Sequence, residues 1–399
     1  MIDMDQNKSL KAELDELLSE DVASVIERER TAFDRLIEPF GKSLVLFGAG
    51  NFGRQVLACL RRDGNEPLAF VDNNSSLWGK TVDGIPVFSP YEAARRFGQR
   101  AAFLITIRSP ESQHRFVETK QRLHTLSCRR VVSFMPFLWK YAETFLPYFY
   151  IDLPHKIYDN AEALKDTFNL WADAESRRAF FTQLEWRVLP DFDSLPGRTI
   201  YKPYFPKDIF SLRADETFVD CGAYDGDTIR EFLDHSGGSF NRIVAFEPDP
   251  RNFQNLATYV GNLPKGIGEK IILLNKAVGA KHGRLRFDGA GSASSHESPD
   301  GSIEVESVAL DGILKDYSPS YIKLDVEGDE SEALIGAQRI IGKKSPILAV
   351  CIYHRLDDLW RIPLLIQSFF TGYRYFLRAH NEEGWELVCY AVPNSRVLS

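Results

Sequence analysis

Apolar residues recur along this chain with two different periods. Between about residue 8 and residue 40 they fall at helical spacing, at Leu10, Leu14, Leu17, Val25, Phe33 and Leu36. That pattern predicts an amphipathic helix packed on the body of the protein or on another subunit. Beyond it, short apolar runs alternate with longer helical patterns. SLVLFG, PLAFVD and AAFLITI read as strands, separated by the helices NFGRQVLACLRRDG and YEAARRFG and by a turn-rich stretch, WGKTVDGIPV. A second series lies downstream: TFVDCG, RIVAFEP, IILLNKAV, YIKLDV and ILAVCIY, closed by YRYFLRA and WELVCYAV around the polar turn HNEEG. Such alternation predicts parallel sheets covered by helices, and the terminal hairpin predicts an antiparallel edge strand.

The patterning divides the chain into four parts. Residues 1–40 are an N-terminal helix and 41–135 a small Rossmann-like nucleotide-binding unit; 136–215 are a helical connector dense in aromatics and prolines, and 216–399 a larger α/β unit. The fold class is therefore α/β with two Rossmann-like units. A net charge of −8 argues against nucleic-acid binding, which needs a basic face. No apolar run approaches the ~18 residues of a membrane span. The N-terminus lacks the basic flank and apolar core of a secretory leader. Five scattered cysteines without a CxxC pair predict neither a disulfide framework nor a zinc knuckle, and fit a reducing cytoplasm. The helical N-terminus leaves a homo-oligomer open.

Two glycine turns follow strands and differ in charge. The downstream one, FVDCGAYDGDT, carries Asp220, Asp225 and Asp227. Three carboxylates repel a pyrophosphate and attract a cation. S-adenosyl-L-methionine offers a sulfonium and an ammonium and no phosphate. Gly222 and Gly226 permit a sharp turn, with Tyr224 between them. Glu247 ends the next strand, where a carboxylate can accept both ribose hydroxyls, and Asp249 follows in the same turn. Asp225 and Asp227 are also suited to capping a helix.

At the end of YIKLDV stands Asp325, followed by Glu327, Gly328, Asp329 and Glu330; His354 stands just past ILAVCIY. In an open α/β sheet the carboxyl ends of the central strands form the ligand crevice. An alcohol is a weak nucleophile, so methyl transfer to it needs a base near the oxygen. His354 or Glu327 is predicted to supply that base, with Asp325 orienting donor or acceptor. The spacing gives no strong metal-site signal and none is assigned, although a divalent ion bridging Asp325, Glu327 and substrate stays open. The polar stretch around 289–302 reads equally as a flap over the acceptor or a plain insertion.

Taken together, FVDCGAYDGDT, AFEPDP, the LDG of VALDGIL, YIKLDVEGDE and the terminal YAVP resemble the FkbM-type methyltransferases over roughly the last half of the chain. The segment YKPYFPKDIFSLRADETFVD looks like the lead into that domain in longer relatives. The resemblance implies a class I S-adenosylmethionine fold and methyl transfer, mostly to a hydroxyl. It carries donor-site roles onto Asp220, Gly222, Glu247 and Asp325. Glu327 and His354 match its patterned positions without assigned roles.

The upstream turn, LVLFGAGNFGR, has no acid and ends in Arg54. Gly48, Gly50 and Gly53 form GxGxxG between strand and helix, and Asp72 ends the next strand. This pattern predicts a site for an anionic nucleotide on a helix N-terminus, with a degenerate fold that only packs as the alternative. The run FVDNNSSLWGKTVDGIPV resembles small N-terminal domains of sugar-modifying acyltransferases, some of which bind a nucleotide-linked sugar. At about 95 residues the unit is short for a two-halved dehydrogenase domain. NAD(H) or a nucleotide sugar is the expected ligand, and a glycan or small molecule the expected methyl acceptor. Two other readings stay open: a nucleotide-dependent sugar oxidoreductase, and a non-enzymatic nucleotide-sugar-binding scaffold.

Overall fold

The computed structural model describes residues 2–108, 115–190, 199, 201–287, 303–381 and 383–398; the stretch 289–302 lies outside them. The chain forms two compact units. The first comprises Glu13–Ala161 and Phe181–Pro196; the second comprises Met1–Ala12, Glu162–Phe180 and Gly197–Ser399. No described helix is long and apolar enough to cross a membrane. All five cysteines are buried and free.

The N-terminal stretch is two helices, Ile2–Leu17 and Val22–Ile37, rather than one. Asp21 makes the break: its carboxylate accepts from the Ser24 amide at 3.1 Å and starts the second helix. Phe33 of that helix meets Phe137 edge-on at 5.2 Å.

The first unit holds a six-stranded sheet of β1 (Leu44–Phe47), β2 (Ala69–Val71), β3 (Thr81–Val82), β4 (Ile85–Phe88), β5 (Ala102–Ile105) and β6 (Arg130–Val132), in the order β3-β4-β2-β1-β5-β6. All pairs are parallel except β3 with β4. The sequence showed this hairpin only as turns, because its strands are two and four residues long. Its turn is Asp83-Gly84, with φ of +48° and +86°, the pair that a tight hairpin favours.

The second unit holds a seven-stranded sheet and a small three-stranded one. In chain order the strands are β7 (Thr217–Cys221), β8 (Arg242–Phe246), β9 (Ile271–Leu274), β10 (Ala277–Val278), β11 (Gly283–Phe287), β12 (Ile303–Val308), β13 (Tyr321–Leu324), β14 (Ile347–Cys351), β15 (Tyr373–Ala379) and β16 (Leu387–Pro393). The large sheet runs β15-β16-β14-β13-β7-β8-β9, and its order reverses between β7 and β13. The hairpin is present, but the antiparallel strand β16 lies one place in from the edge. Every residue of β16 is buried, which suits an interior strand, and β15 takes the edge.

The connector is shared between the units. Its middle is held to β15 by polar contacts. The Ala172 amide donates to Tyr375 O at 2.8 Å, and the Leu377 amide to Ser176 Oγ at 2.9 Å. Arg378, almost wholly buried, pairs with Asp173 at 2.7 Å and Asp208 at 2.6 Å. Two partners offset the cost of burying that charge.

Candidate active site

Parallel pairing of β8, β7, β13 and β14 brings their carboxyl ends side by side, with Leu324 in register with both Cys221 and Val350. Asp220, Glu247, Asp325 and His354 therefore gather along one rim. A cavity of about 500 Å³ opens at the opposite, amino-terminal ends, lined by Arg213, Thr217, Asn241 and Ser320 among others. Ligands of such sheets sit outside the carboxyl ends, so the rim is the candidate site.

One side of the rim is built from the β7 turn. A Cβ on Gly222 would stand 1.9 Å from Asp325 O, and its φ is +85°. This glycine lets the β7 turn lie against the end of β13. Gly222→Ala is expected to destabilise the protein by about 3 kcal/mol or more, from steric overlap and backbone strain together. Urea denaturation checks this; an unchanged midpoint would show that the two backbones can part without cost. Gly226, with φ of +92°, starts the helix Asp227–Ser236. Glu247 closes the turn by accepting from the Tyr224 amide at 2.8 Å and the Asp249 amide at 2.9 Å. Burial raises its carboxyl to about 7, against the pull of those two amides. The Asp249 carboxylate caps the helix Pro250–Gly261 through the amides of Arg251 and Asn252. It fixes Glu247 through its own backbone.

The three aspartates of the turn do not act as one acidic lining. Asp225 pairs with Arg230 at 2.5 Å. Asp227 accepts from the Thr228 amide at 2.7 Å, at the start of its own helix. Asp220 is fully buried and faces Lys323, whose Nζ stands 3.2 Å from its Oδ1. Burial raises Asp220 to about 6, with Lys323 opposing.

Lys323 was not singled out in the sequence, although it sits inside YIKLDV. Its side chain is buried, donates to Gly222 O at 2.6 Å and lies 3.9 Å from Asp325 Oδ2. Burial works against its charge, but Asp220 and Asp325 outweigh that and hold its pKa above the ordinary value. A lysine at a mid-strand position flanked by apolar residues was the available signal. Tyr204 was also missed. Its hydroxyl donates to Asp325 Oδ2 at 2.8 Å, and its ring lies 5.2 Å from the Lys323 ammonium.

The other side of the rim joins Asp325, Glu327 and His354. His354 Nε2 lies 3.5 Å from Asp325 Oδ1 and 3.8 Å from Glu327 Oε2. Its Nδ1 faces Glu330 Oε1 at 2.7 Å, and that oxygen also accepts from the Val326 amide at 2.9 Å. Burial disfavours the imidazolium, but Glu330, Asp325 and Glu327 outweigh it and raise His354 to about 10. Burial raises Glu327 to about 7, with His354 pulling the other way. Burial also works to raise Asp325, but Lys323, His354 and the Tyr204 hydroxyl hold it below the ordinary value. Nearby Asp358 is driven well above the carboxylate range by burial and by Glu330. One donor atom each from Asp325, Glu327 and His354 lies within 4.8 Å of the others. The sequence held no strong spacing for a metal and did not join His354 to Asp325 and Glu327, because these residues follow two different strands.

In the first unit, a Cβ on Gly53 would stand 1.9 Å from Gly48 O, so this pair packs helix onto turn. Gly50 has open space around its would-be Cβ. Asp72 accepts from the Ala49 amide at 2.9 Å and the Asn74 amide at 2.8 Å, the arrangement Glu247 shows in the second unit. Arg108 follows β5 and lies over the rings of Phe52 at 4.1 Å and Tyr148 at 3.6 Å. Among the described residues its Nη1 is buried without a hydrogen-bond partner. Arg54 is exposed.

Residues 220–383 match the family model described as the methyltransferase FkbM domain. Over 97% of this chain and 99% of the other, the structure is similar to that of methyltransferase FkbM from Methylobacillus flagellatus, with a TM-score of 0.75 at 23% identity. A precorrin-6y C5,15-methyltransferase from Geobacter metallireducens matches 46% of this chain and 82% of its own, with a TM-score of 0.29 at 14% identity. An rRNA methylase from Streptococcus thermophilus matches 46% and 89%, with a TM-score of 0.30 at 13% identity. No curated protein matches the chain.

Proposed function

We propose that the chain is a methyltransferase, its residues 220–383 being a domain of the FkbM type, and that it moves a methyl group from S-adenosyl-L-methionine to a hydroxyl of a sugar, polysaccharide precursor or related metabolite. The observation that carries this reading is the meeting, on adjacent strands, of the glycine turn closed by Glu247 with the cluster Asp325, Glu327 and His354. The donor lies against Gly222, Tyr224 and Gly226, and Glu247 accepts its ribose hydroxyls. Asp220 acts with Lys323, as a neutralised pair beneath the turn. The acceptor oxygen attacks the methyl carbon in line. A C–O bond forms as the C–S bond breaks, and the sulfonium becomes the neutral thioether of S-adenosylhomocysteine.

The hydroxyl proton passes to Glu327. His354 is almost wholly buried, with Nδ1 held by Glu330, whereas Glu327 is about one-fifth exposed at the rim. Glu327 is therefore the group that meets an incoming alcohol. His354 holds both carboxylates in position, and Asp325 orients the reacting groups.

Calorimetry with S-adenosylhomocysteine tests the donor assignment. Wild-type protein is expected to bind it, and labelled donor to yield labelled glycan. Failure to bind the thioether while binding NADH or a nucleotide sugar would overturn the reading in favour of an oxidoreductase or a scaffold. The ribose contact is expected to make binding pH-dependent. Hydroxyls donate to the ionised carboxylate, so affinity is full above about pH 8 and falls up to about tenfold by pH 6 as Glu247 takes up a proton. Glu247→Gln is expected to flatten that profile at reduced affinity. A profile that persists in the variant would move the titrating group elsewhere.

The first unit is read as the holder of an anionic nucleotide, NAD(H) or a nucleotide sugar. The open Gly50, the turn without acids and the buried Arg108 nitrogen support this. A carbohydrate acceptor rests on that reading.

A further inference from the structure

We infer that Asp325, Glu327 and His354 bind one divalent cation of the Mn²⁺ class, and that this ion draws the acceptor hydroxyl into the site together with a neighbouring oxygen of the same molecule. A carboxylate–carboxylate–imidazole set suits such an ion, and three protein ligands leave positions open for substrate oxygens. With metal–ligand bonds near 2.1 Å, donor atoms around one ion stand about 3 to 4.2 Å apart. His354 Nε2 already lies 3.5 Å from Asp325 Oδ1 and 3.8 Å from Glu327 Oε2, so only a small adjustment is needed.

Two further features make this more than a group of acids. Glu330, fully buried and fixed by the Val326 amide, faces His354 Nδ1 at 2.7 Å. A buried carboxylate holding the far nitrogen of an imidazole is the usual support of a metal-binding histidine, since it keeps the proton on Nδ1 and aims Nε2 at the ion. Asp325 is divided in the same way. Its Oδ2 takes the Tyr204 hydroxyl, whereas its Oδ1 is buried, accepts no hydrogen bond among the described residues and faces His354 Nε2 at 3.5 Å. An ion seated between that oxygen, Glu327 and a neutral His354 Nε2 would satisfy all three at once. Glu327 is held at φ +56°, a conformation that a side chain rarely adopts, beside the other two ligands.

The step remains methyl transfer, and this inference rests on the proposed acceptor end of the site. The alcohol oxygen on the ion loses its proton to Glu327, attacks the methyl carbon and leaves as the ether. The ion keeps its charge throughout. It lowers the pKa of the bound hydroxyl and orients it, as bound cations do for water. The favoured acceptors are those with adjacent oxygens, such as a sugar diol.

Mn²⁺ titration of chelator-treated full-length protein, followed by electron paramagnetic resonance, tests the site. One ion per chain is expected to bind below millimolar concentration. His354→Gln and Glu327→Gln should weaken binding at least tenfold, and Glu330→Gln by about 10–100-fold. Should the buried variants melt early, Glu327→Gln at the partly exposed rim supplies the contrast alone. Absence of stoichiometric binding, or equal binding by wild type and Glu327→Gln, overturns the site. S-adenosylhomocysteine binding in chelator separates the two readings. If it binds and methyl transfer proceeds at full rate in chelator, only the ion is lost; if it does not bind, the donor assignment fails instead.

Discussion

Lys323→Met is expected to lower stability by about 3–5 kcal/mol and to abolish S-adenosylhomocysteine binding, a larger loss than any single change at the rim. The ammonium is the only cation within 4 Å of Asp220 among the described ion pairs, and it also approaches Asp325 and ties Gly222 O. Removing it leaves a fully buried carboxylate without a counter-charge, and releases the turn that the donor lies on. Methionine keeps most of the volume, so the effect reads charge and hydrogen bonding rather than a cavity. A double-mutant cycle separates these contributions. Asp220→Asn in the Lys323→Met background should recover part of the lost stability, because the orphan charge is gone, but should not restore donor binding. The measurements are urea denaturation and calorimetry. A Lys323→Met protein within 1 kcal/mol of wild type would mean that Asp220 is held by something other than this ammonium.

That prediction also marks where the sequence stopped being legible. Strand and helix order was readable, because runs such as LVLF and ILAVC are apolar throughout and adjoin turn residues. Asp325 and His354 could be placed at strand ends for the same reason. The electrostatics could not. Reading Asp220, Asp225 and Asp227 as one acidic lining overlooked that a turn brings in its own partners: Arg230 lies five residues beyond Asp225, and Lys323 arrives from a strand a hundred residues away. The negative charge that remains lies around His354 instead, with Asp325, Glu327 and Glu330. Tyr204 was invisible for a similar reason, since its contact with Asp325 spans 121 residues. Periodicity reports which face of an element is buried, and says nothing about which buried charge meets which.

Glu327→Gln is expected to reduce methyl transfer by about 10²–10⁴-fold while leaving S-adenosylhomocysteine affinity unchanged. The substitution keeps size and removes the charge, and with it both the ability to take a proton and one ligand of the inferred ion. Glu327 lies on the proposed acceptor side, 3.8 Å from His354 among the described ion pairs, whereas Glu247 closes the other turn through the Tyr224 amide. His354→Gln should lower turnover in the same direction, because the carboxylates of Asp325 and Glu327 lose the group that holds them. The two sides of the site thus separate by experiment. Glu247 variants change the donor affinity, and Glu327 variants change the rate at saturating donor. Radiolabel transfer with donor in excess, alongside calorimetry, makes the distinction. If Glu327→Gln kept more than a third of the wild-type rate, the acceptor proton would have to leave by another route; if it lost donor binding instead, Glu327 would belong with Glu247 on the donor side.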